Sequence, residues 1–336
     1  MVKIGIIGSG FGLYGLLPAF NSTTGCKVVS ICGEKTERLI NYCQSISLKK
    51  IYTNWRTMLD EEKLDAIAIA VIPSAQYQIA KVAIGKNLHI FAEKPLAVTY
   101  AQAKELLNLA TKKKIVHAVD FIFPEIEEWQ KAKQIIDKKT LGKLKEVYLN
   151  WDFLSYDIKN KIPSWKTDVA QGGGALSFYF SHSLYYLEHY VGKVLNFRSV
   201  LSYSKESLNG REVGVDLILK FKNGVNGYAH LCCNVHGFAR HQLIFVCKRG
   251  TIVLENVNGS NANFIIKIYT DKKTKQLSIP KENYIQKNED ERVRIVKKIA
   301  KRFINSVAHN KKFAPSFKEG VRVQELIEKI RANKLI

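Results

Sequence analysis

The first third of the chain alternates two kinds of segment, and this alternation restricts the possible folds more than any other feature of the sequence. Short apolar runs occur at KIGIIG, KVVSIC, AIAIAV, LHIFA and IVHAVDF. Amphipathic stretches such as TERLINYCQSI, SAQYQIAKVAIGKN and TYAQAKELLNLATKKK lie between them. Apolar runs without polar alternation are typical of strands that helices cover on both faces. The pattern predicts a doubly wound parallel sheet in an α/β domain of residues 1–121.

Residues 122–336 change character and are predicted to form an α+β domain. A helical pattern (EIEEWQKAKQIIDKKTLGKLKEV) is expected to close at Gly142 and to precede an aromatic-rich strand, EVYLNWDF. A second helix is expected after the three glycines at 172–174. From about Asn196 to Ile279 the pattern is mostly β, which predicts a large, open and mostly antiparallel sheet.

Local signals mark several turns and helix ends. Asn209-Gly210 and Asn223-Gly224 are dipeptides typical of hairpin turns. Thr99 followed by Gln102 forms a capping-box pattern, which predicts that a helix begins after Pro95. The chain is expected to end in a pair of helices at about 290–309 and 317–333.

Composition narrows the class of protein. The chain has 336 residues, of which 46% are hydrophobic and 24% charged, as in an ordinary globular protein large enough for two domains. No apolar run approaches the roughly 20 residues that a membrane-spanning helix needs. The strand-like pattern at the start of the chain leaves no room for a signal peptide. We therefore expect a cytoplasmic protein that does not bind a membrane.

The net charge of +22 raises the possibility of a nucleic-acid partner. Only 11 of the 52 basic residues are Arg, the residue that bidentate phosphate recognition favours, and no basic block is interleaved with aromatic residues. The sequence therefore predicts no nucleic-acid binding, and the basic balance favours an anionic small ligand. The cysteines contain no CxxC pair or metal-type cluster, so we expect no metal site and free, mostly buried thiols at Cys26, Cys32, Cys43, Cys232, Cys233 and Cys247.

A glycine-rich turn, GIIGSGFGLYG, follows the first predicted strand directly. Gly8 and Gly10 fit the first two glycines of a dinucleotide-binding turn, where missing side chains let the backbone approach a pyrophosphate. The third glycine position is occupied by Leu13, with Gly12 one residue early. A tight turn without a ligand is the alternative. The position after strand one favours a cofactor site that includes Ser9 and Phe11.

The second predicted strand ends in ICGEKTER, where a ribose-binding residue is expected. Glu34 would accept a hydrogen bond from the 2'-hydroxyl of NAD and repel the 2'-phosphate of NADP. Gly33 and Lys35 would instead accommodate that phosphate. Both cofactors stay open, with a slight preference for NAD.

Lys94 follows the predicted strand LHIFA, between Glu93 and Pro95. Ligands of open α/β sheets lie at the carboxyl ends of the strands, so a lysine at this position reaches the nicotinamide side of a bound cofactor. A solvated turn lysine is the alternative in a lysine-rich chain. The strand position and the adjacent proline favour the cofactor site.

Several stretches together resemble the Gfo/Idh/MocA family, named for glucose-fructose oxidoreductase and inositol dehydrogenase. They are GIIGSGFG, DAIAIAVIPSAQYQIAKVAI, HIFAEKPLAV, GGGAL…SH and FAPSFKEGVRVQELIEKI, in the family's order over nearly the whole chain. The resemblance implies a Rossmann domain that binds NAD or NADP and a second domain that binds substrate. It implies an oxidoreductase that transfers a hydride between nicotinamide and a hydroxyl or keto carbon of a sugar, cyclitol or nucleotide-linked sugar.

The resemblance also assigns residues in the first domain. Lys94 corresponds to the lysine that contacts the substrate and the nicotinamide ribose, and Pro95 is expected to follow a cis peptide bond. Ile72 and Pro73 match a loop that lines the cofactor site. Asp120, at the end of this domain, is expected on the substrate side.

In the second domain the resemblance makes His182 the acid/base that exchanges the hydroxyl proton. The acid that family members carry four residues earlier is replaced by Phe178, and another common acid position is Tyr185. His182 could instead be a structural histidine among aromatic residues. Lys94 would then be the main proton donor or acceptor, with a pKa lowered by burial and by the charge of the nicotinamide.

Further substrate contacts are expected near the start of the second domain. Many relatives carry an arginine where this chain has Phe121, Ile122 and Phe123, so Glu125 is a candidate polar contact. Trp165 and Lys166 are expected near the substrate entrance, where Lys166 would meet a phosphate or carboxylate or would simply be solvated. The aromatic residues that could stack on a sugar or belong to the core are Trp151, Tyr156 and Tyr179. The residues interpreted as structural or interfacial are His236, Arg240 and His241.

Two other functions stay open at this stage. Some relatives are glycosidases that use bound NAD for a transient oxidation, and one is a regulator that binds dinucleotide without catalysis. The absence of an acid at Phe178 favours the regulator, whereas Lys94 and His182 favour an enzyme. Analogy with the family predicts a homodimer or homotetramer.

Overall fold

The computed structural model describes residues 1–204, 211–256, 263–280 and 289–332. Within these ranges the chain forms two compact units. The first contains residues 1–122 and 289–324, and the second contains 123–280 and 325–332. The sequence placed everything after residue 121 in a second domain, whereas the structure returns 289–324 to the first unit.

The first unit alternates strands and helices. Its strands are β1 (Val2–Ile7), β2 (Cys26–Cys32), β3 (Ile51–Tyr52), β4 (Ala66–Ile69), β5 (His89–Ala92) and β6 (His117–Val119). The helices between them are α1 (Leu17–Asn21), α2 (Glu37–Ser45), α3 (Trp55–Glu61), α4 (Pro73–Gly85) and α5 (Tyr100–Lys113). Short elements β3 and α3 were not predicted, because IYTNWRTMLDE carries neither a long apolar run nor a clear helical period.

The strands of the first unit form a parallel sheet, which confirms the predicted doubly wound fold. Their order is β3-β2-β1-β4-β5-β6. The side chains of Ile4, Ile6, Ile67 and Ile69 are almost fully buried, as expected for strands covered on both faces. The carboxyl ends of all six strands therefore share one edge of the sheet.

Helix α10 (Val293–Ala308) belongs to the first unit because its apolar face packs on α1 and β1. The ring of Phe303 meets Phe20 and Phe91 edge to face, with centroids 6.4 and 5.6 Å apart. Helix α11 (Phe317–Ala332) follows it. These two helices confirm the predicted pair at the end of the chain.

The second unit combines helices with a large sheet. Its helices are α6 (Glu127–Asp137), α7 (Tyr156–Lys159), α8 (Ala175–Phe178) and α9 (Phe180–Val191), with short 3₁₀ turns at Phe123–Glu125, Trp165–Thr167 and Val169–Gln171. Its strands are β7 (Leu144–Asp152), β8 (Val194–Tyr203), β9 (Glu212–Phe221), β10 (Asn226–Cys232), β11 (Arg240–Cys247), β12 (Gly250–Asn256), β13 (Ile265–Tyr269) and β14 (Thr274–Leu277).

The sheet of the second unit is mostly antiparallel, as predicted. Its order is β14-β13-β12-β11-β7-β10-β9-β8, and only the pairing of β7 with β10 is parallel among the described strands. Buried and half-buried residues alternate strictly along β11. This alternation indicates one face packed on the core and one face toward solvent.

Several boundaries differ from the sequence prediction. Helix α6 ends at Asp137 and not at Gly142, because Lys139 already has the left-handed φ of +50° that no helix can continue through. The helix after the three glycines is interrupted at Tyr179, which separates α8 from α9. The turn at Asn223-Gly224 joins β9 to β10 as predicted, with Gly224 at φ +87°. The turn predicted at Asn209-Gly210 lies outside the described residues.

The free thiols were predicted correctly, since all six cysteines are unpaired and four of them are buried. Cys26 and Cys232 are only half-buried. No cluster of three His, Cys, Asp or Glu side chains suited to a metal ion occurs in the described parts of the chain. Of the helices that the structure describes, none combines the length and the apolar character that a membrane span requires.

Candidate active site

The glycine turn after β1 fits a dinucleotide-binding site. Gly8 has φ +129°, and a Cβ there would lie 2.1 Å from the carbonyl oxygen of Ala70, so only glycine is tolerated. The N–H of Gly8 donates to the carbonyl of Cys32 at 2.8 Å, which joins the turn to the end of β2. Gly10 is exposed, and no atom lies within 4 Å of its missing side chain. The backbone can therefore be approached closely from that side.

The helix after this turn begins irregularly, which accounts for the displaced third glycine. Residues Gly12–Leu16 form a π-helical turn that continues directly into α1. The ring of Phe11 lies over Gly15, where a Cβ would come within 2.3 Å of it. The guanidinium of Arg292 stacks on the same ring, 4.5 Å from its centroid. The glycine needed for close packing is thus Gly15, which makes room for Phe11.

The residues after β2 lie beside the glycine turn. A Cβ on Gly33 would come within 2.8 Å of the Ser9 side chain, so these two residues pack closely. Glu34 and Lys35 follow and are both exposed. The structure therefore brings Ser9 and Gly33 together and leaves both charged candidates accessible.

The side chain of Gln76 fixes the turn that contains Lys94, which we call the Lys94 turn and define as residues 93–96. Pro73 is the first residue of α4 and Ile72 is its N-cap, which directs Gln76 toward the end of β5. The side-chain N–H₂ of Gln76 donates to the carbonyl oxygens of Glu93 at 2.7 Å, Pro95 at 3.1 Å and Leu96 at 3.1 Å. Only 1% of Gln76 is exposed. These bonds fix the backbone on both sides of Lys94.

Lys94 lies at the carboxyl end of β5, as predicted, and is half-buried. Its peptide bond to Pro95 is cis, which confirms that expectation. Glu93 is anchored to the neighbouring strand by an N–H bond to the carbonyl of Ile69 at 2.9 Å, and its carboxylate accepts the N–H of Lys94 at 3.1 Å. Asp120 follows β6 at the same edge and is 1% exposed.

Burial controls the electrostatics at this edge. It raises the pKa of Glu93, while the positive charge of Lys94 acts in the opposite direction. The pKa of Asp120 lies well above its usual range, first because the group is buried and second because the Glu93 carboxyl is close. The charge of Arg292 acts in the opposite direction on both carboxyls, whose pKa values stay raised.

In the second unit, His182 lies on α9 and is 8% exposed. Its ring meets Phe123 edge to face at 5.0 Å, and its backbone N–H donates to the carbonyl of Tyr179 at 3.2 Å. Phe123 is at the centre of an aromatic layer, which we define as Phe123, Trp129, Trp151, Tyr186, His241 and Phe264. His182 therefore borders this layer.

His241 is the fully packed histidine of the aromatic layer. It stacks on Trp151 with centroids 4.2 Å apart and planes within 2°. Its Nε2 lies 3.0 Å from the hydroxyl of Tyr186, which in turn lies 2.8 Å from the hydroxyl of Ser183. Burial lowers the pKa of His241 to about 3, so the ring is neutral at physiological pH. Its interpretation as a structural residue agrees with this packing, and Trp151 is likewise a core residue.

Phe178 and the Trp165–Thr167 turn form a second cluster. The ring of Trp165 meets Phe178 edge to face at 5.2 Å. The ammonium of Lys166 lies 5.2 Å from the centroid of the Phe178 ring and 3.1 Å from the carboxylate of Asp157. Phe178, at the position where the family resemblance predicts an acid, is thus covered by Lys166, which is paired with Asp157.

The three glycines before α8 run along this turn. The N–H of Gly173 donates to the carbonyl of Asp168 at 2.8 Å, and that of Gly174 donates to Lys166 at 2.7 Å. Gly174 has φ +96°, and a Cβ there would lie 2.2 Å from the Glu212 carboxylate. Arg331 closes the arrangement, because its Nη2 donates to Glu212 at 2.7 Å and to the carbonyl of Gly173 at 2.8 Å. These hydrogen bonds therefore join the segments SWKTD and GGG into one local structure.

The other predicted residues have less defined surroundings. Glu125 is half-buried in the turn Phe123–Glu125, and Tyr179 packs against Phe153 with centroids 4.8 Å apart. Of the three stacking candidates, Tyr156 is 68% exposed, Tyr179 is half-buried and Trp151 is buried. Phe121 and Ile122, at positions where the family resemblance predicts an arginine, are buried.

On the outer face of the large sheet, Arg240 forms part of a charged row across four strands. Its guanidinium contacts Asp152 at 2.7 Å, His230 lies 3.0 Å from the same carboxylate, and the other ring nitrogen of His230 lies 2.7 Å from Asp216. Arg240 is structural in this sense, whereas His236 is exposed.

Sequence reasoning missed Gln76, Arg292 and Arg331. A signal for Gln76 was present, since it is a polar residue on the face of α4 that buries Ile79 and Ala83. The other two had no local signal, because each contacts residues more than 100 positions away in the chain. The glycine turn, the accessible residues after β2 and the fixed Lys94 turn together suit a dinucleotide on the carboxyl edge of the sheet.

Comparison with known proteins agrees with this arrangement. Residues 2–121 match the model of an oxidoreductase family with an NAD-binding Rossmann fold, and residues 129–253 match the Gfo/Idh/MocA C-terminal domain. An uncharacterized oxidoreductase of Synechocystis is 24% identical over 97% of this chain and 92% of its own length.

Solved structures with the same fold include two with bound ligands. A levoglucosan dehydrogenase in complex with NADH and levoglucosan has a TM-score of 0.84 at 19% identity. The superposition covers 99% of this chain and 96% of the dehydrogenase. A 3-ketoreductase from Actinomadura kijaniata, in complex with TDP-benzene and NADP, has a TM-score of 0.80 at 16% identity, with 98% and 99% covered. Since models of both halves of one family match in order, the chain belongs to the Gfo/Idh/MocA family of oxidoreductases.

Proposed function

We propose that the protein transfers a hydride between a nicotinamide dinucleotide and the hydroxyl- or keto-bearing carbon of a sugar, cyclitol or nucleotide-linked sugar. The observation that carries the proposal is the Lys94 turn, which buried Gln76 fixes at the carboxyl edge of the sheet through three carbonyl groups. The levoglucosan and the TDP group bound by two structural neighbours support the substrate class. The nicotinamide, when bound, supplies the hydride acceptor or donor.

The protein's own residues would manage the proton of the reacting hydroxyl. We propose Lys94 and His182 for this role, because each is a titratable side chain that the family resemblance assigns to the reaction. Trp165 and Lys166 are proposed substrate contacts. The ion pair of Lys166 with Asp157 supports a directed ammonium in place of a solvated one.

For the cofactor we propose NAD in preference to NADP. The exposed carboxylate of Glu34 directly after β2 supports this choice, because it would accept from a ribose hydroxyl and repel a phosphate. Lys35 beside it would support NADP. Titration of the protein with NADH and with NADPH distinguishes the two by their dissociation constants.

The test follows the nicotinamide absorbance of wild type and of Lys94→Ala with pools of sugars, cyclitols and nucleotide-sugars, after any copurifying nucleotide has been identified. We expect a redox change with one pool in wild type and its loss in Lys94→Ala. Lys81→Ala is the matched control, because Lys81 is exposed and pairs with Glu105 on the neighbouring helix. Equal rates in wild type and Lys94→Ala would contradict the proposal.

A regulator that binds dinucleotide without catalysis is the second candidate. It is favoured by Phe178, whose ring is packed between Trp165 and Tyr179 where relatives carry an acid. Firm nucleotide binding without redox change in any pool would favour it, and sugar release without net redox change would favour the glycosidase. The cytoplasmic location and the homodimer or homotetramer stay predictions.

A further inference from the structure

Two carboxyl groups lie side by side behind Lys94. Strands β5 and β6 are parallel neighbours, with Ala92 paired to Val119, and the N–H of Asp120 donates to the carbonyl of Ala92 at 2.9 Å. Glu93 and Asp120 each follow the paired residue directly. The register alone therefore brings their side chains together at the carboxyl edge of the sheet.

The carboxyl of Asp120 is buried without a conventional donor. Both of its oxygens are inaccessible to solvent, and no N–H or O–H of the described residues reaches either of them with hydrogen-bond geometry. After burial, the carboxyl of Glu93 is the strongest influence on it and raises its pKa further. Two ionised carboxylates are both acceptors, so they can bond to each other only if a proton lies between them.

Two positive charges of the described residues act on the pair. Those that act on the pair are the ammonium of Lys94, from the same turn, and the guanidinium of Arg292, from the start of α10. Arg292 is itself held by Asp290, with contacts of 2.8 Å. The nearby positive charge is thus too small to compensate two negative charges, of which that of Asp120 is buried and that of Glu93 half-buried.

We propose that Glu93 and Asp120 hold one proton between them, that the pair therefore carries a single negative charge, and that this charge sets the protonation of Lys94. Both are then positioning residues for the proton-transferring lysine. Asp120 is the protonated member, because Glu93 accepts the N–H of Lys94 and Asp120 accepts none among the described groups. The role toward Lys94 rests on the proposed function, whereas the shared proton does not.

Amide substitutions separate the two charge states. If the pair carries one negative charge, Asp120→Asn and Glu93→Gln each leave that charge in place, since the new amide donates to the remaining carboxylate. The double variant removes it. The pH at which Lys94 loses its proton should then stay nearly constant in both single variants and fall by about 1 to 2 pH units in the double variant.

The experiment measures the rate of acetylation of Lys94 against pH by mass spectrometry in the cofactor-free protein, and infrared spectra record the C=O band of a protonated carboxyl at neutral pH. We expect the band in wild type and its loss in each single variant. Asp60→Asn is the matched control, because Asp60 is exposed and pairs with Lys86. If Asp120→Asn fails to fold, Glu93→Gln gives the same comparison.

Two results would overturn the proposal. One is the absence of a protonated carboxyl in wild type. The other is a midpoint of Lys94 that falls by half of the total shift in each single variant, as two ionised carboxylates would require. Neither readout uses a substrate, so a failure to find enzymatic activity leaves this test intact. With a substrate in hand, the pH profile of kcat/KM should shift in the double variant as the acetylation midpoint does.

Discussion

The two units fix their candidate residues in different ways. In the first, Lys94 is held by polar contacts to the backbone, where one amide side chain, that of Gln76, contacts three carbonyl oxygens. In the second, His182 borders a layer of rings in which Trp151 and His241 stack at 4.2 Å. Polar contacts act mainly on the preceding glycine loop, where Arg331 donates to Glu212 and to the carbonyl of Gly173.

This difference indicates what each site tolerates. A turn fixed by hydrogen bonds to carbonyl groups depends on geometry, because a displaced donor leaves buried acceptors unsatisfied. A histidine beside packed rings depends on the volume of its neighbours, because a smaller side chain would leave a cavity. Substitutions that remove one set of polar contacts in each unit therefore test whether the two regions are stabilised independently of each other.

The largest effect is expected from Arg331→Met. The change leaves the carboxylate of Glu212, which is 3% exposed, without its partner, and it frees the carbonyl of Gly173. Removing one member of a buried ion pair should lower the free energy of unfolding by about 3 kcal/mol. Denaturant unfolding followed by tryptophan fluorescence measures it, since Trp129, Trp151 and Trp165 lie in the second unit.

The control for that prediction is Lys329→Met, which removes an exposed pair with Glu325 on the same helix and should change little. Arg331→Lys should restore part of the loss. A loss in Arg331→Met no larger than in the control would show that packing alone holds the glycine loop.

A loss of about 2 kcal/mol is expected from Gln76→Met, which keeps the shape of the side chain but removes the donors to Glu93, Pro95 and Leu96. Hydrogen exchange by mass spectrometry should show faster exchange of the peptide that contains Lys94. Gln44→Met, on the exposed face of α2, is the control. Unchanged exchange at this peptide would mean that the Lys94 turn is rigid without the hydrogen bonds from Gln76.

The sequence revealed the first site better than the second for a physical reason. Gly8, Glu93 and Lys94 follow strands directly, and parallel strands bring their carboxyl ends to one edge, so local pattern was enough. Gln76 was hidden only because a polar residue on a buried helix face has many possible partners. The aromatic layer joins residues from Phe123 to Phe264, and no periodicity predicts which of them meet.

A pH-dependent effect of similar size distinguishes the units through one histidine in each, His117 and His241. The pKa of His241 is about 3 in the folded protein because of burial, whereas the unfolded chain has an ordinary value of about 6.5. Above pH 6.5 the ring is neutral in both states, and below it only the unfolded chain gains a proton. The free energy of unfolding should therefore fall by about 2 kcal/mol from pH 7 to pH 5.

His241→Phe should remove this part of the pH dependence, because the ring still packs on Trp151 but no longer titrates. His117 in the first unit, whose pKa burial lowers to about 4, should behave in the same direction and serves as the comparison variant. An unchanged slope in His241→Phe would mean that His241 takes up a proton in the folded state near pH 6.

The smallest effect is expected at the cap of the helix that follows the Lys94 turn. The hydroxyl of Thr99 accepts the N–H of Gln102 at 3.2 Å, which confirms the predicted start of α5. Thr99→Ala should lower the free energy of unfolding by about 1 kcal/mol, and Thr99→Ser should restore most of it, because serine supplies the same acceptor. The hydrogen bonds from Gln76 fix the backbone of residues 93–96 and do not involve this cap. The peptide that contains Lys94 should therefore exchange at its wild-type rate in Thr99→Ala. Faster exchange there would show that the turn and the helix cap open together, and the first site would then be one cooperative element instead of two separable ones.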